Sequence, residues 1–296
     1  MPSTPQDDSD DQAQSYPPLH PVPSMQAAFE ESMYEQGHPP PSPPDPYAVT
    51  AAAPSSSSTT GSAFKPKYHF LTKLVSQITF GIHLLHKRLA KSDSEVVRIL
   101  QAHVIDMDTF LSTTTHDFDF ARADISTRIK NLKVPLEPGP ASDVFENMLR
   151  DPTFRMQIME GNKKVDFVIK RTARAMNRAL EDVAEGLKAV DELAKYLLTL
   201  KTGWRNANLV RVYGAMTHNV EGWFRCFVGL QMKGQGLGER LNALKMVVWE
   251  IERRCGRASR GGGRGSLAVV KKRPSVSHQS QPFLLLVDAY MGGVLI

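Results

Sequence analysis

From residue 68 onward, apolar side chains recur at alternating intervals of four and three positions, the spacing that gathers them on one face of an α-helix. Leu71, Val75, Ile78, Ile82, Leu85 and Leu89 make the first row. Val96, Leu100, His103, Met107, Phe110 and Thr114 begin a second, which continues through Phe118, Ala121, Ile125 and Leu132. Val75, Ile82, Leu89, Val96, His103 and Phe110 stay seven apart across the junction, as one continuous rod would require. Two features favour a break instead. Ser92 and Glu95 have capping-box spacing, and the companion row moves from three residues after each of these positions (Ile78, Leu85) to four (Leu100, Met107).

The longest row runs through Ile158, Asn162, Val165, Ile169, Thr172, Met176, Ala179, Val183, Gly186, Val190, Leu193, Leu197 and Leu200 without a break in the four-three alternation. Asp151 followed by Pro152 is a helix N-cap with proline at the first helical position, and Gly203 offers a stop. At 1.5 Å per residue, a helix over 152–201 is about 75 Å long. Leu209, Tyr213, Met216, Val220, Trp223, Phe227 and Leu230 form another row. The glycines at 234, 236 and 238 are expected to turn the chain into a last one, Leu237, Leu241, Leu244, Val248 and Ile251. The predicted helices are about 68–91, 94–132, 142–149, 152–201, 205–232 and 237–255. No segment alternates with period two.

The flanks of the longest row are also apolar (Met159, Val168, Leu180, Leu187 and several alanines), a face wide enough to touch two neighbours. The expected fold is therefore all-α: an antiparallel multi-helix bundle, coiled-coil-like, with one very long helix. Its far end exceeds the shorter predicted helices, which implies tandem stacking or a second copy, and a homo-oligomer is expected.

Proline placement sets the limits of the bundle. Fourteen of the twenty prolines lie in residues 1–66, while 67–134 and 153–273 hold none, which suits long helices because an interior proline costs about 3 kcal/mol. Residues 1–66 carry eight acids and one base. With the runs at 39–46 and 55–60 they are expected to form a disordered acidic tail, rich in Pro and Ser, with a marginal helical turn near residues 25–34. Residues 67–255 form the bundle, and 256–296, with six bases and one acid, a basic Gly/Arg-rich disordered tail. Its closing residues are oddly apolar, as a read-through gene model would produce.

Candidate chemistry is sparse. Lys163, Lys164, Lys170, Arg171, Arg174 and Arg178 share the outer face of the longest helix, where they could meet an anionic surface. The competing reading is a solvated face that meets acids such as Asp106, Asp108, Asp117 and Asp119. Arg257, Arg260 and Arg264 alternate with glycines like a short RNA-binding segment, and Lys271, Lys272 and Arg273 resemble a nuclear-import signal. Thr4 and Ser42 precede prolines, and Ser275 follows a basic cluster; these are low-specificity phosphosites. His83 and His86 lack a third ligand at recognised spacing, so no metal is expected. The glycines at 234–238 follow a helix rather than the strand a nucleotide-binding loop needs. Catalytic and cofactor-binding residues are expected to be none, with no small-molecule substrate. Two cysteines, Cys226 and Cys255, are expected to pack as small hydrophobes in a reducing compartment.

No stretch reaches the roughly 18 apolar residues of a membrane span, and residues 1–11 are acidic, unlike a targeting peptide. A cytoplasmic protein is expected, with the nucleus as the alternative. The stretch 71–89, LTKLVSQITFGIHLLHKRL, resembles helical proteins of filamentous fungi without an assigned activity, and transfers no site. In outline, a helical scaffold with a basic stripe also resembles the membrane-shaping BAR-type superfamily. The expected function is a non-enzymatic scaffold that binds proteins and itself. A peripheral membrane-binding module is the first alternative, and a nuclear or RNA-associated adaptor the second.

Overall fold

The computed structural model describes residues 18–37 and 66–261, and every regular element among them is helical. After a 3-10 turn at Pro23–Met25 come α1 (Gln26–Gly37), α2 (Phe70–Lys87), α3 (Asp93–Lys133), α4 (Pro140–Met148), α5 (Pro152–Thr199) and α6 (Ala207–Gly261). The architecture is a helical bundle. No described helix is long and apolar enough to cross a membrane.

Local chemistry accounts for the helix ends. Arg88 adopts a left-handed conformation at φ 62° and closes α2, with its own N–H and that of Leu89 donating to Leu84 O, as at a left-handed helix cap. The chain therefore breaks where the shifted companion row predicted. The last position of the first row lies outside the core: Leu89 is 62% exposed. Ser92 Oγ accepts from the N–H of Glu95 at 3.3 Å at the start of α3. Asp151 Oδ1 accepts from Thr153 N at 2.8 Å at the start of α5, and Asn206 Oδ1 accepts from Leu209 N at 2.9 Å at the start of α6. Gly203, at φ 90°, makes the α5–α6 turn. A Cβ there would lie 3.3 Å from His86 Nε2.

The contacts divide the chain into two compact units. The first combines the N-terminal part up to Ile105 with Lys188–Val220. Its core is built on α2, where Leu71, Val75, Ile78, Ile82 and Leu85 are all buried, with Leu193, Leu197 and Met216 from α5 and α6. Part of the region expected to be a disordered tail belongs to this core. Met25, Ala28 and Phe29 are at most 2% exposed, and the Phe29 ring packs at a tilt against Phe80 with centroids 4.5 Å apart. His20 bridges the same contact, with Nε2 3.0 Å from the Ser76 carbonyl. The short helical turn that would be marginal alone thus orders because α2 offers it a partner face. The rest of the expected tail lies outside the described residues.

This contact is sealed by charge. The Glu31 carboxylate accepts from the backbone N–H of Lys67 (3.0 Å) and of Tyr68 (3.2 Å) and pairs with Lys73 Nζ at 2.9 Å, while Glu35 pairs with the same ammonium at 2.6 Å. Burial by itself would raise the Glu31 pKa, but Lys73 and the two amides outweigh it and hold the carboxyl below its ordinary value. Burial alone would lower Lys73; its two carboxylates outweigh that and raise it.

The second unit comprises Asp106–Leu187 and the chain from Glu221 onward. Here α5 and α6 run antiparallel, since Asn162 Nδ2 donates to Glu252 Oε1 at 3.4 Å and Leu180 meets Gly234. α3 runs parallel to α6: Trp223 Nε1 donates to Asp108 Oδ1 at 2.8 Å, and Lys233 pairs with Asp119. Arg254 of α6 holds the 134–139 connector in place, donating to Leu136 O at 2.9 Å and reaching Glu146 of α4 at 3.2 Å. Beside it, hydrogen bonds from Arg253 and Arg254 outweigh burial and bring Glu250 down to about 2.

Four sequence expectations need correction. The chain does not turn at 234–238; α6 runs unbroken through all three glycines. The row Trp223, Phe227, Leu230, Gly234, Leu237, Leu241 and Leu244 keeps its four-three alternation through that region, and all seven positions are buried. Second, α6, at 55 residues, exceeds the 48 of α5, so α5 is not uniquely long and the unmatched length that implied a second copy disappears. Third, residues 256–261, assigned to a disordered tail, close α6. Fourth, Cys255 is buried but Cys226 is exposed.

Candidate interaction surfaces

The buried rows of the second unit leave outward faces that differ in chemistry. On α5, the core row faces inward through Ile158, Asn162, Val165 and Val183, all buried. At about 100° per residue, Lys163, Lys164, Lys170, Arg171, Arg174 and Arg178 fall within an arc of about 120° on the opposite side. All six are exposed. Two apolar residues share the arc: Phe167, 63% exposed, and Met156, 71% exposed. Sequence reasoning missed both. The available signal was an aromatic residue two positions beyond the core valine at 165, with basic residues three and four positions to either side.

Two of the four acids proposed to neutralise this stripe are engaged elsewhere. Asp108 accepts from Trp223, and Asp119 pairs with Lys233, both on α6. Within α5, Lys163 reaches Glu160 at 3.4 Å through side chains that remain largely in water, a contact worth little. Arg178 differs: with Asp117 and Asp182 it edges a groove of about 360 Å³ between α3 and α5. The groove exists because Thr172, Ala175 and Ala179 are too small to fill the space beside Phe118 and Met176. Thr172, Met176 and Ala179 are accordingly only half-buried.

The outward face of α6 is apolar with charges of both signs. Phe224, Val228 and Met232 stand at successive four-residue steps, and Met246 and Trp249 continue the exposure toward the C-terminal end, with Met232 70% and Trp249 54% exposed. Arg225 pairs with Glu221 at one end, and Arg253 with Glu250 at the other, where Arg253 also lies 5.8 Å from the Trp249 ring centroid. These positions carried a sequence signal, apolar residues off the core row, that the main periodicity overshadowed.

In the first unit, two histidines of α2 bond to the end of α5 and to the turn after it. His83 Nδ1 lies 2.7 Å from Tyr196 Oη, and His86 Nε2 2.8 Å from the Thr202 carbonyl. Burial lowers the His83 pKa, with Lys87, His20 and His86 adding to the effect, and burial pushes Tyr196 up to about 12. His103 is half-buried on α3. Among the described residues, no group of three His, Cys, Asp or Glu side chains is placed to share a metal ion. Lys271, Lys272, Arg273, Thr4, Ser42, Ser275 and Arg264 lie outside the described residues, while Arg257 and Arg260 belong to the last turns of α6. No protein-family model, curated protein or solved structure matches the chain.

Proposed function

We propose that the protein is a non-enzymatic helical scaffold that works through protein contacts, the first of them with a second copy of itself. The observation that carries this reading is the outward apolar row of α6, Phe224, Val228, Met232, Met246 and Trp249. Exposed large apolar side chains in register on one helix are what a helix-on-helix contact buries. The row is also self-complementary. An antiparallel pair of α6 helices brings the Glu221–Arg225 end of one copy to the Glu250–Arg253 end of the other, each end holding both signs. A two-fold contact needs that symmetry. Length mismatch plays no part in this reading.

Sedimentation equilibrium of the full chain at micromolar concentration tests it. The expected result is a dimer for the natural sequence and a monomer of unchanged helicity for the double variant Phe224→Glu, Met232→Glu. A natural chain that stays monomeric, or a dimer that survives both substitutions, overturns the self-association.

A further inference from the structure

We infer that the outer arc of α5 is a docking surface for an anionic lipid bilayer, independently of the α6 row. The surface is built from three kinds of residue. Lys163, Lys170 and Arg174 lie along one side of it, each exposed. Phe167 stands beside them with 63% of its surface in solvent, and Met156, about three turns nearer the start of the helix, is 71% exposed. Inward, the core row anchors the helix through Ile158 and Val165, which are 3% and 1% exposed, so the arc is presented by a braced element.

A helix lying on a membrane needs cations at the level of the head groups and apolar side chains to enter the acyl boundary between them. This arc has that order: Phe167 is three residues from Lys170, four from Lys163 and seven from Arg174, so its ring projects among positive charges. A polyanion held by charge alone would use the cations and leave Phe167 and Met156 without a role. A single-stranded nucleic acid could stack on the phenyl ring, but an unbranched thioether offers no stacking face. The two exposed apolar residues together therefore favour lipid. Two of the four acids on α3 that might have masked the arc are held by α6, Asp108 by Trp223 and Asp119 by Lys233, while Asp117 lies at the groove edge with Arg178, away from Lys163, Phe167 and Lys170 in the sequence.

The test is co-sedimentation of the full chain with phosphatidylcholine vesicles, with and without phosphatidylserine. Binding is expected only when phosphatidylserine is present. Each positive charge removed should weaken it about fivefold, so Lys163→Gln, Lys170→Gln and Arg174→Gln together reduce partitioning about a hundredfold. Phe167→Ser, which keeps every charge, should weaken it about five- to tenfold. All four positions are exposed, and far-ultraviolet circular dichroism should show unchanged helicity in both variants. Equal binding to the two vesicle types, or full binding by the triple variant, overturns the proposal. So does the absence of vesicle binding together with Phe167-dependent binding of a single-stranded homopolymer RNA, which assigns the arc to nucleic acid.

Discussion

Gly234 shows how one residue can be read two ways. In an isolated chain, a glycine costs a helix about 1 kcal/mol relative to alanine, and several in a row suggest a turn. In the folded protein it occupies a core position where a Cβ would lie 2.6 Å from Leu180 Cδ2. Its neighbours differ: a Cβ on Gly229 or Gly236 meets nothing within 4 Å. Gly229→Ala and Gly236→Ala should therefore each stabilise the protein by about 1 kcal/mol, raising Tm by about 2–4 °C for a domain of this size. Gly234→Ala should gain less, because Leu180 must change rotamer to admit the methyl group. A loss of stability at Gly236 would restore the turn. The evidence for a continuous helix was present in the sequence, since the alternation carries straight across Gly234. It was outweighed because intrinsic propensity is local, whereas the packing that overrides it involves a residue 54 positions earlier.

Among the elements, α1 was the least legible. The sequence predicts a marginal helical turn near residues 25–34, but nothing in 18–37 announces that it packs into a core. What orders it is the match of Met25, Ala28 and Phe29 to α2 and the enclosure of Glu31 beside Lys73. Removing that carboxylate leaves the largely buried Lys73 ammonium with Glu35 alone and leaves two backbone amides without their acceptor. Glu31→Ala should then lower the opening free energy of 26–37 by roughly 2–3 kcal/mol in hydrogen exchange. Amides in the middle of α6 should keep their protection. The pH response follows from the directions of the two shifts. Glu31 has a depressed pKa, so its contribution is complete above the ordinary carboxylate range and disappears as pH falls through the folded value. Lys73 is raised, so its contribution is complete below about 10 and disappears only above that. Protease sensitivity of 18–37 should therefore be lowest between about pH 5 and 10 and rise on acidification. Glu31→Gln should remove most of the acid limb; an identical acid profile in that variant would contradict the assignment. By contrast, the ends of α2, α3 and α5 were legible to within a few residues, because Ser92, Asp151 and Gly203 act on their own neighbours.

At the scale of the whole molecule, the two outward faces make opposite predictions about salt. Contact through the α6 row rests on apolar burial, and its charges are of both signs, so the dimer constant should change little between low and high ionic strength. Vesicle binding through the α5 arc rests on one sign of charge at a surface, and should collapse as the screening length falls from about 10 Å at 0.1 M to about 3 Å at 1 M. Sedimentation and vesicle partitioning measured over the same salt series distinguish the two; parallel loss would mean that one face performs both tasks. The spacing of apolar residues by itself determined that the chain is helical from residue 70, where most core rows lie, and that six cations share one side of α5. Those properties follow from helical geometry, which is the same in any context. Only the tertiary structure decided that α6 continues past its glycines, that α1 belongs to the core, and that Phe167, Met156 and the α6 row face outward. Each of these depends on which helix stands beside which, and that depends on residues far apart in the chain.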